Sequence, residues 1–241
     1  MSRSGLALTI GFTAEAVREG APLVHCVAPR AATSFVADVL HGAGARSVIT
    51  GTSPDALAAA LTADALVLDL GTLGSEWSDA VNPAMAQART ERLPWVLDAT
   101  PLGRAPLRLD RVRALLGHRP SVVHASAPAP DGVRMDLADG ALVLGEPAER
   151  VIAGGREVPV PRGASMLAQV PGVGSAISAL IGACAVVAGP LEAALTGCAW
   201  LAVASERAEQ TSRGPASFRT ALIDALWTVR GDEIAEHLEL A

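Results

Sequence analysis

The 241-residue chain has no lysine and no tyrosine, and only 3% of its residues are aromatic. All 19 of its Lys and Arg residues are therefore arginine, which excludes a Schiff-base lysine and a Gly-Lys-Ser/Thr phosphate loop. The lack of aromatic stacking faces and the net charge of −6 both speak against a nucleic-acid partner and for a small soluble one. Cysteine is scarce too. Cys26, Cys184 and Cys198 are odd in number, far apart and outside any metal-ligand spacing, so neither a disulfide framework nor a structural metal is expected.

A long apolar leader is missing as well. The first twenty residues, MSRSGLALTIGFTAEAVREG, carry no extended apolar run and no convincing cleavage site, and the expectation is a mature cytoplasmic protein. Residues 170–191 hold no charge and are long enough on paper to span a bilayer. Pro171, Pro190 and several glycines interrupt them, and no aromatic or basic belt flanks them, so a glycine loop and a buried helix are predicted, with no membrane partner.

Half of the residues are hydrophobic, enough for a substantial core. The apolar runs PLVHCV, RSVIT, ALVLDLG, PWVLDAT and SVVHA are short and continuous, as in strands covered on both faces. Helical spacing falls between them at 32–41, 53–61, 75–89 and 109–116, with Ser53 and Ser75 as candidate N-caps. Residues 125–140 are rich in Pro and Gly and read as a loop. A strand and a hairpin turning at Gly154-Gly155 follow. From Val173 onward the chain reads as helix with breaks at Gly189-Pro190, Arg213-Gly214-Pro215 and Gly231. This alternation predicts one α/β domain over residues 1–241, a mostly parallel sheet flanked by helices on both faces.

Two sets of residues are candidates for chemistry. Pro171-Gly172-Val173-Gly174-Ser175 runs straight into a helix, whose N-terminal N–H groups and partial positive charge suit a phosphate. The plainer reading is a tight turn with Ser175 as cap. The second set lies at the carboxyl ends of the strands, where open α/β sheets bind ligands: His25, Asp69, Gly71, Thr72, Asp98, Thr100 and His124. Asp69 and Asp98 are candidates to hold a metal or orient a hydroxyl, or simply to anchor loops. His25 reads as a packed, hydrogen-bonded strand-end residue.

Four segments, in order, resemble the hydroxyethylthiazole kinase family of the ribokinase-like superfamily. PLVHCVAPRAATSFVADVLHGAGARSVIT resembles its first strand, substrate loop and helix, and ALVLDLGTLGSEW its Ile-Gly-Thr-Leu strand end. VPGVGSAISALIGACAV resembles its Gly-Thr-Gly-Cys anion hole, and SRGPASFRTALIDALW its Gly-Pro-Gly-Ser-Phe loop and closing helix. The resemblance implies a ribokinase-like fold and ATP-dependent, Mg²⁺-assisted phosphorylation of 4-methyl-5-(2-hydroxyethyl)thiazole, or a related small alcohol, in thiamine salvage. It also implies a homo-oligomer, a trimer. Carried over by position, it gives Gly172, Gly174 and Ser175 the catalytic role, and sets His25, Thr33, Gly71 and Gly172 around the alcohol. His124, Leu144 and Gly145 fall at the nucleotide, and Asp98 at the magnesium.

Several positions depart from the family pattern. Thr33 stands for a Met of the substrate loop, Leu144 for a Thr that meets ATP, and Pro171 and Val173 for two Thr of the anion hole. Ser175 stands for its Cys, and residues 124–129 for Arg-Gly-Asn-x-x-Glu. Phosphoryl transfer rests on positioning and charge compensation, so these losses predict very weak or absent phosphorylation. The alternative is a non-catalytic small-molecule-binding homologue that no longer uses ATP.

Overall fold

The computed structural model describes residues 3–50, 60–71, 77–100, 106–126, 139–145 and 148–240. Strands β1 (Leu23–Val27), β2 (Arg46–Thr50), β3 (Ala65–Asp69), β4 (Trp95–Asp98), β5 (Val122–Ala125) and β6 (Ala141–Gly145) are parallel. An antiparallel pair, β7 (Ala148–Ala153) and β8 (Arg156–Pro159), turns at Gly154-Gly155 and completes one sheet in the order β2-β1-β3-β4-β5-β6-β7-β8. The predicted strands therefore form, each within two residues of its expected ends. Of the helix expected at 53–61, residues 60 and 61 are described and belong to a short 3-10 helix (Ala60–Thr62), while the rest of it and the candidate caps Ser53 and Ser75 lie outside the described residues, as does Thr72.

Helix α1 (Arg3–Gly20) precedes the sheet, and α2 (Thr33–Gly42), α3 (Trp77–Thr90) and α4 (Pro106–Leu116) alternate with its strands. The chain then closes with α5 (Val173–Ala185), α6 (Pro190–Thr211), α7 (Pro215–Thr228) and α8 (Gly231–Leu240). Strand residues of one parity, such as Val24, Val67 and Val96, share a core with α2, α5 and α6. Those of the other parity, Leu66, Leu68 and Leu97, pack with Val81 and Met85 of α3 and Val112 of α4. Alternation of side chains across each strand thus builds two cores, one on each face of the sheet.

Helix α5 is the element that positions the site, and eleven of its thirteen residues are buried. It lies close on the sheet because Gly182 has no side chain: a Cβ there would meet Val67 Cγ2 at 2.7 Å. The uncharged run at 170–191 therefore forms a loop, a core helix and the start of α6. Among the described residues no helix is long and apolar enough to cross a membrane.

Helix α1 was not anticipated from the sequence. Its apolar stripe of Leu6, Ile10, Ala14 and Val17 is buried in the core that α6 and α8 also line. Gly11 and Gly231 meet so closely that a Cβ on Gly11 would lie 2.6 Å from the Gly231 carbonyl oxygen, and Glu15 caps α8 by accepting from Gly231 N at 2.7 Å. Gly11→Ala gains helix propensity but overpacks this contact. The expected net loss is about 1–2 kcal/mol, read as a lower urea midpoint at an unchanged slope.

Candidate active site

Three parallel strands carry ionisable residues at or next to their carboxyl ends, and these stand in register. Asp69 on β3 is opposite Asp98 on β4, and Asp98 is opposite His124 on β5. Matching register puts all three on the same face of the sheet, the face that α5 covers. Ser175 and Ser178, three residues apart in the first turns of α5, reach this row. Ser175 Oγ donates to Asp69 Oδ2 at 2.5 Å, and Ser178 Oγ donates to Asp98 Oδ2 at 2.9 Å.

The hydrogens of the deeper pair can be counted. Ser178 has one hydrogen, given to Asp98, so it accepts from His124 Nδ1 at 3.0 Å. His124 Nε2 faces the Gly145 carbonyl at 3.1 Å, which only accepts, so Nε2 carries hydrogen and donates. Asp98, Ser178 and His124 are fully buried, and the serine hydroxyl bridges the carboxyl group and the ring. Thr100 holds the other Asp98 oxygen through its N–H at 2.8 Å and its hydroxyl at 2.6 Å.

Above this row lies a cavity of about 560 Å³, lined by Pro29, Ala31, Ala32, Asp69, Gly71, Thr100 and residues 168–175. The glycine turn forms one wall. Gly172 is the N-cap of α5 with φ of +88°, a left-handed conformation that a side chain would strain, and a Cβ there would approach the Cβ of Ala32 at 3.4 Å. Ser175 does not cap the helix: its hydroxyl goes to Asp69 instead, and no side chain caps α5. The first N–H groups of α5 have no partner within the helix and lie beside the cavity, which gives the arrangement of an anion cradle.

Asp69 is the carboxylate that lines this cavity. Its Oδ1 accepts from Gly71 N at 2.7 Å. Burial and then the neighbouring Asp98 charge push its pKa up to about 7, against the bonds from Ser175 and Gly71 N and the charge of His124, which pull it down. Burial drives His25 the other way, down to about 4, and its Nε2 is bonded to Thr50 Oγ1 at 2.8 Å.

Of the residues singled out from the sequence, the structure thus brings Asp69, Gly71, Thr100, Gly172, Gly174 and Ser175 to one cavity. His25 sits in the core with Thr50, as a packed strand-end residue should, and Thr33 is half-buried at the start of α2 with its hydroxyl donating to Arg30 O at 3.0 Å. Neither lines the cavity. Asp98 is enclosed beneath it, with both oxygens taken by Thr100 and Ser178. His124, Leu144 and Gly145 are buried around β5 and β6 and line no part of the cavity either. Ser178 was not foreseen, although its spacing from Ser175 puts both on one helix face. The three cysteines are buried thiols whose pKa values burial raises, so they are unreactive core residues.

The comparisons with known proteins agree with one another. A hydroxyethylthiazole kinase of Cronobacter sakazakii is 32% identical over 237 residues, covering 87% of this chain and 89% of that protein. The structure of a hydroxyethylthiazole kinase protein from Pyrococcus horikoshii OT3 superposes with a TM-score of 0.83 at 26% identity, over 92% of this chain and 93% of that one. A ribokinase-like superfamily protein from Enterococcus faecalis shares the fold, with a TM-score of 0.52 at 12% identity over 87% of this chain and 88% of that one. The Hydroxyethylthiazole kinase family matches residues 14–127 and 140–232, an interruption that falls in the Pro/Gly-rich stretch at 125–140, most of which lies outside the described residues. With most of its length matched, the chain belongs to the hydroxyethylthiazole kinase family.

Proposed function

We propose that this protein transfers the γ-phosphoryl group of Mg²⁺-ATP to the hydroxyl of hydroxyethylthiazole or a similar small heteroaromatic alcohol. One observation carries the reading: the glycine turn and N-terminus of α5 open on a cavity that also holds a buried carboxylate and a hydroxyl 2.5 Å apart. The helix N-terminus suits the phosphoryl group, whose charge builds in the transition state. The apolar walls, Pro29, Ala31, Ala32 and Val173 among them, suit a heteroaromatic ring. Magnesium would enter with the nucleotide as part of the substrate, bridging its phosphates.

Burial of His124 and Leu144 favours a second reading, an alcohol-binding homologue that no longer uses ATP. Incubation of excess protein with Mg²⁺-ATP and hydroxyethylthiazole, followed by mass spectrometry, separates the two. Formation of the phosphate ester supports transfer. A thermal shift from the alcohol without any ester supports binding alone, and no response to the alcohol defeats both.

Gly71 tests the location of the alcohol. A Cβ there would meet Asp69 Oδ1 at 2.9 Å and stand beside the Thr100 carbonyl at 3.5 Å. Gly71→Val is expected to weaken hydroxyethylthiazole binding by about 10-fold or more in calorimetric titration, as extra methyl groups in a fitted pocket do. Unchanged affinity would move the alcohol elsewhere.

A further inference from the structure

We infer that Asp69 is the proton acceptor for the alcohol, working through the hydroxyl of Ser175. The inference rests on the phosphoryl-transfer reading and adds the residue that removes the proton. An alcohol attacking a phosphorus held at the N-terminus of α5 lies beside Ser175, in the first turn of that helix. The single hydrogen of Ser175 is already directed at Asp69 Oδ2, 2.5 Å away, which leaves its oxygen to accept from the alcohol. A serine hydroxyl is too weak a base for this alone, and the carboxylate behind it supplies the missing basicity.

The step balances. The alcohol oxygen bonds to the γ-phosphorus, and the bond from that phosphorus to the bridging oxygen breaks, its electron pair leaving on ADP. The alcohol proton passes to Ser175 Oγ as the proton of Ser175 passes to Asp69. Asp69 then releases it to water in the cavity that it lines.

Other bases near the cavity are already committed. Asp98 is enclosed by Thr100 and Ser178, and His25 is bonded to Thr50 outside the cavity lining. The charged and titratable groups around Asp69 are Asp98 from β4, which disfavours its ionisation, and His124 from β5, which favours it. Cys26 on β1 feels its charge, and Ser175 and Gly71 N bond it directly. The outcome is a carboxyl near neutrality, where a general base is most effective.

The test is single-turnover transfer from labelled Mg²⁺-ATP to hydroxyethylthiazole, with protein in excess, from about pH 5 to about pH 9. The wild-type rate should rise through neutrality to a plateau. Asp69→Asn should lower the plateau by about 10²-fold or more and remove the rise, since a positioned general base contributes about 10²–10⁴-fold. Ser175→Ala should lose a similar factor, and the double variant should lose no more than either single one, because both act on one proton. A folded Asp69→Asn protein that keeps the wild-type rate and profile overturns the inference and leaves the transfer reading intact. Should Asp69→Asn not fold, Ser175→Ala decides, and an undiminished rate overturns the inference. A wild type that forms no ester overturns both.

Discussion

Above neutral pH, Asp69→Asn is expected to be more stable than the wild type, by up to about 4 kcal/mol. The Asp69 carboxyl titrates near 7 in the folded protein and near its ordinary 3.8 once unfolded. Between those values the folded state holds a proton that the unfolded state has released, so wild-type stability falls as pH rises through the window. At about 1.4 kcal/mol per pH unit, the gap amounts to about 4 kcal/mol. Asparagine keeps an acceptor for Gly71 N and offers an amide to Ser175 Oγ, without a charge to bury. His25 works in the opposite direction. Its folded pKa near 4 lies below its ordinary 6.5, so it contributes stability at neutral pH that is lost on acidification, about 3 kcal/mol in full. In the wild type the two slopes nearly cancel between about pH 4 and about pH 6.5. Urea unfolding of Asp69→Asn should uncover the rising slope from His25, and His25→Asn the falling slope from Asp69. If Asp69→Asn is less stable than the wild type at pH 8, burial is not what raises that carboxyl.

The second large effect is expected at Ser178. Its hydroxyl joins the Asp98 carboxyl group to the His124 ring inside the core, and Ser178→Ala takes one hydrogen-bond partner from each of two buried polar groups. Leaving two buried polar groups short of a partner at about 1–3 kcal/mol each costs about 2–6 kcal/mol, which in a domain of this size lowers the melting temperature by about 4–24 °C. A loss below about 1 kcal/mol would mean that the pair stands without its bridge. The same substitution leaves Ser175 and its bond to Asp69 in place, so the folded fraction should retain the alcohol cavity.

These two sites mark where sequence reading reached its limit. The strands were legible because a continuous apolar run of four to six residues between turns has few other fates in a chain with this alternation. Asp69, Asp98 and His124 were visible as strand ends. Their partnership was not, since strands covered on both faces do not advertise which parity faces which helix, and Ser175 meets Asp69 across 106 residues of chain. Family likeness places His124 and Leu144 beside a nucleotide, and in the structure both side chains are buried. Helix α1 was overlooked although Leu6, Ile10, Ala14 and Val17 have helical spacing. Gly5, Gly11, Thr9 and Thr13 weaken its intrinsic propensity, and it owes its form to the helices it packs on.

That packing bears on the birth of the protein. Glu15 and Gly231, which join α1 to α8, are 216 residues apart, so the apolar stripe of α1 leaves the ribosome long before the surface that covers it. At about 5–20 residues per second the wait is on the order of 10–40 s. Through that interval the part of α1 that the last helix covers stays open to holdase chaperones and to proteases.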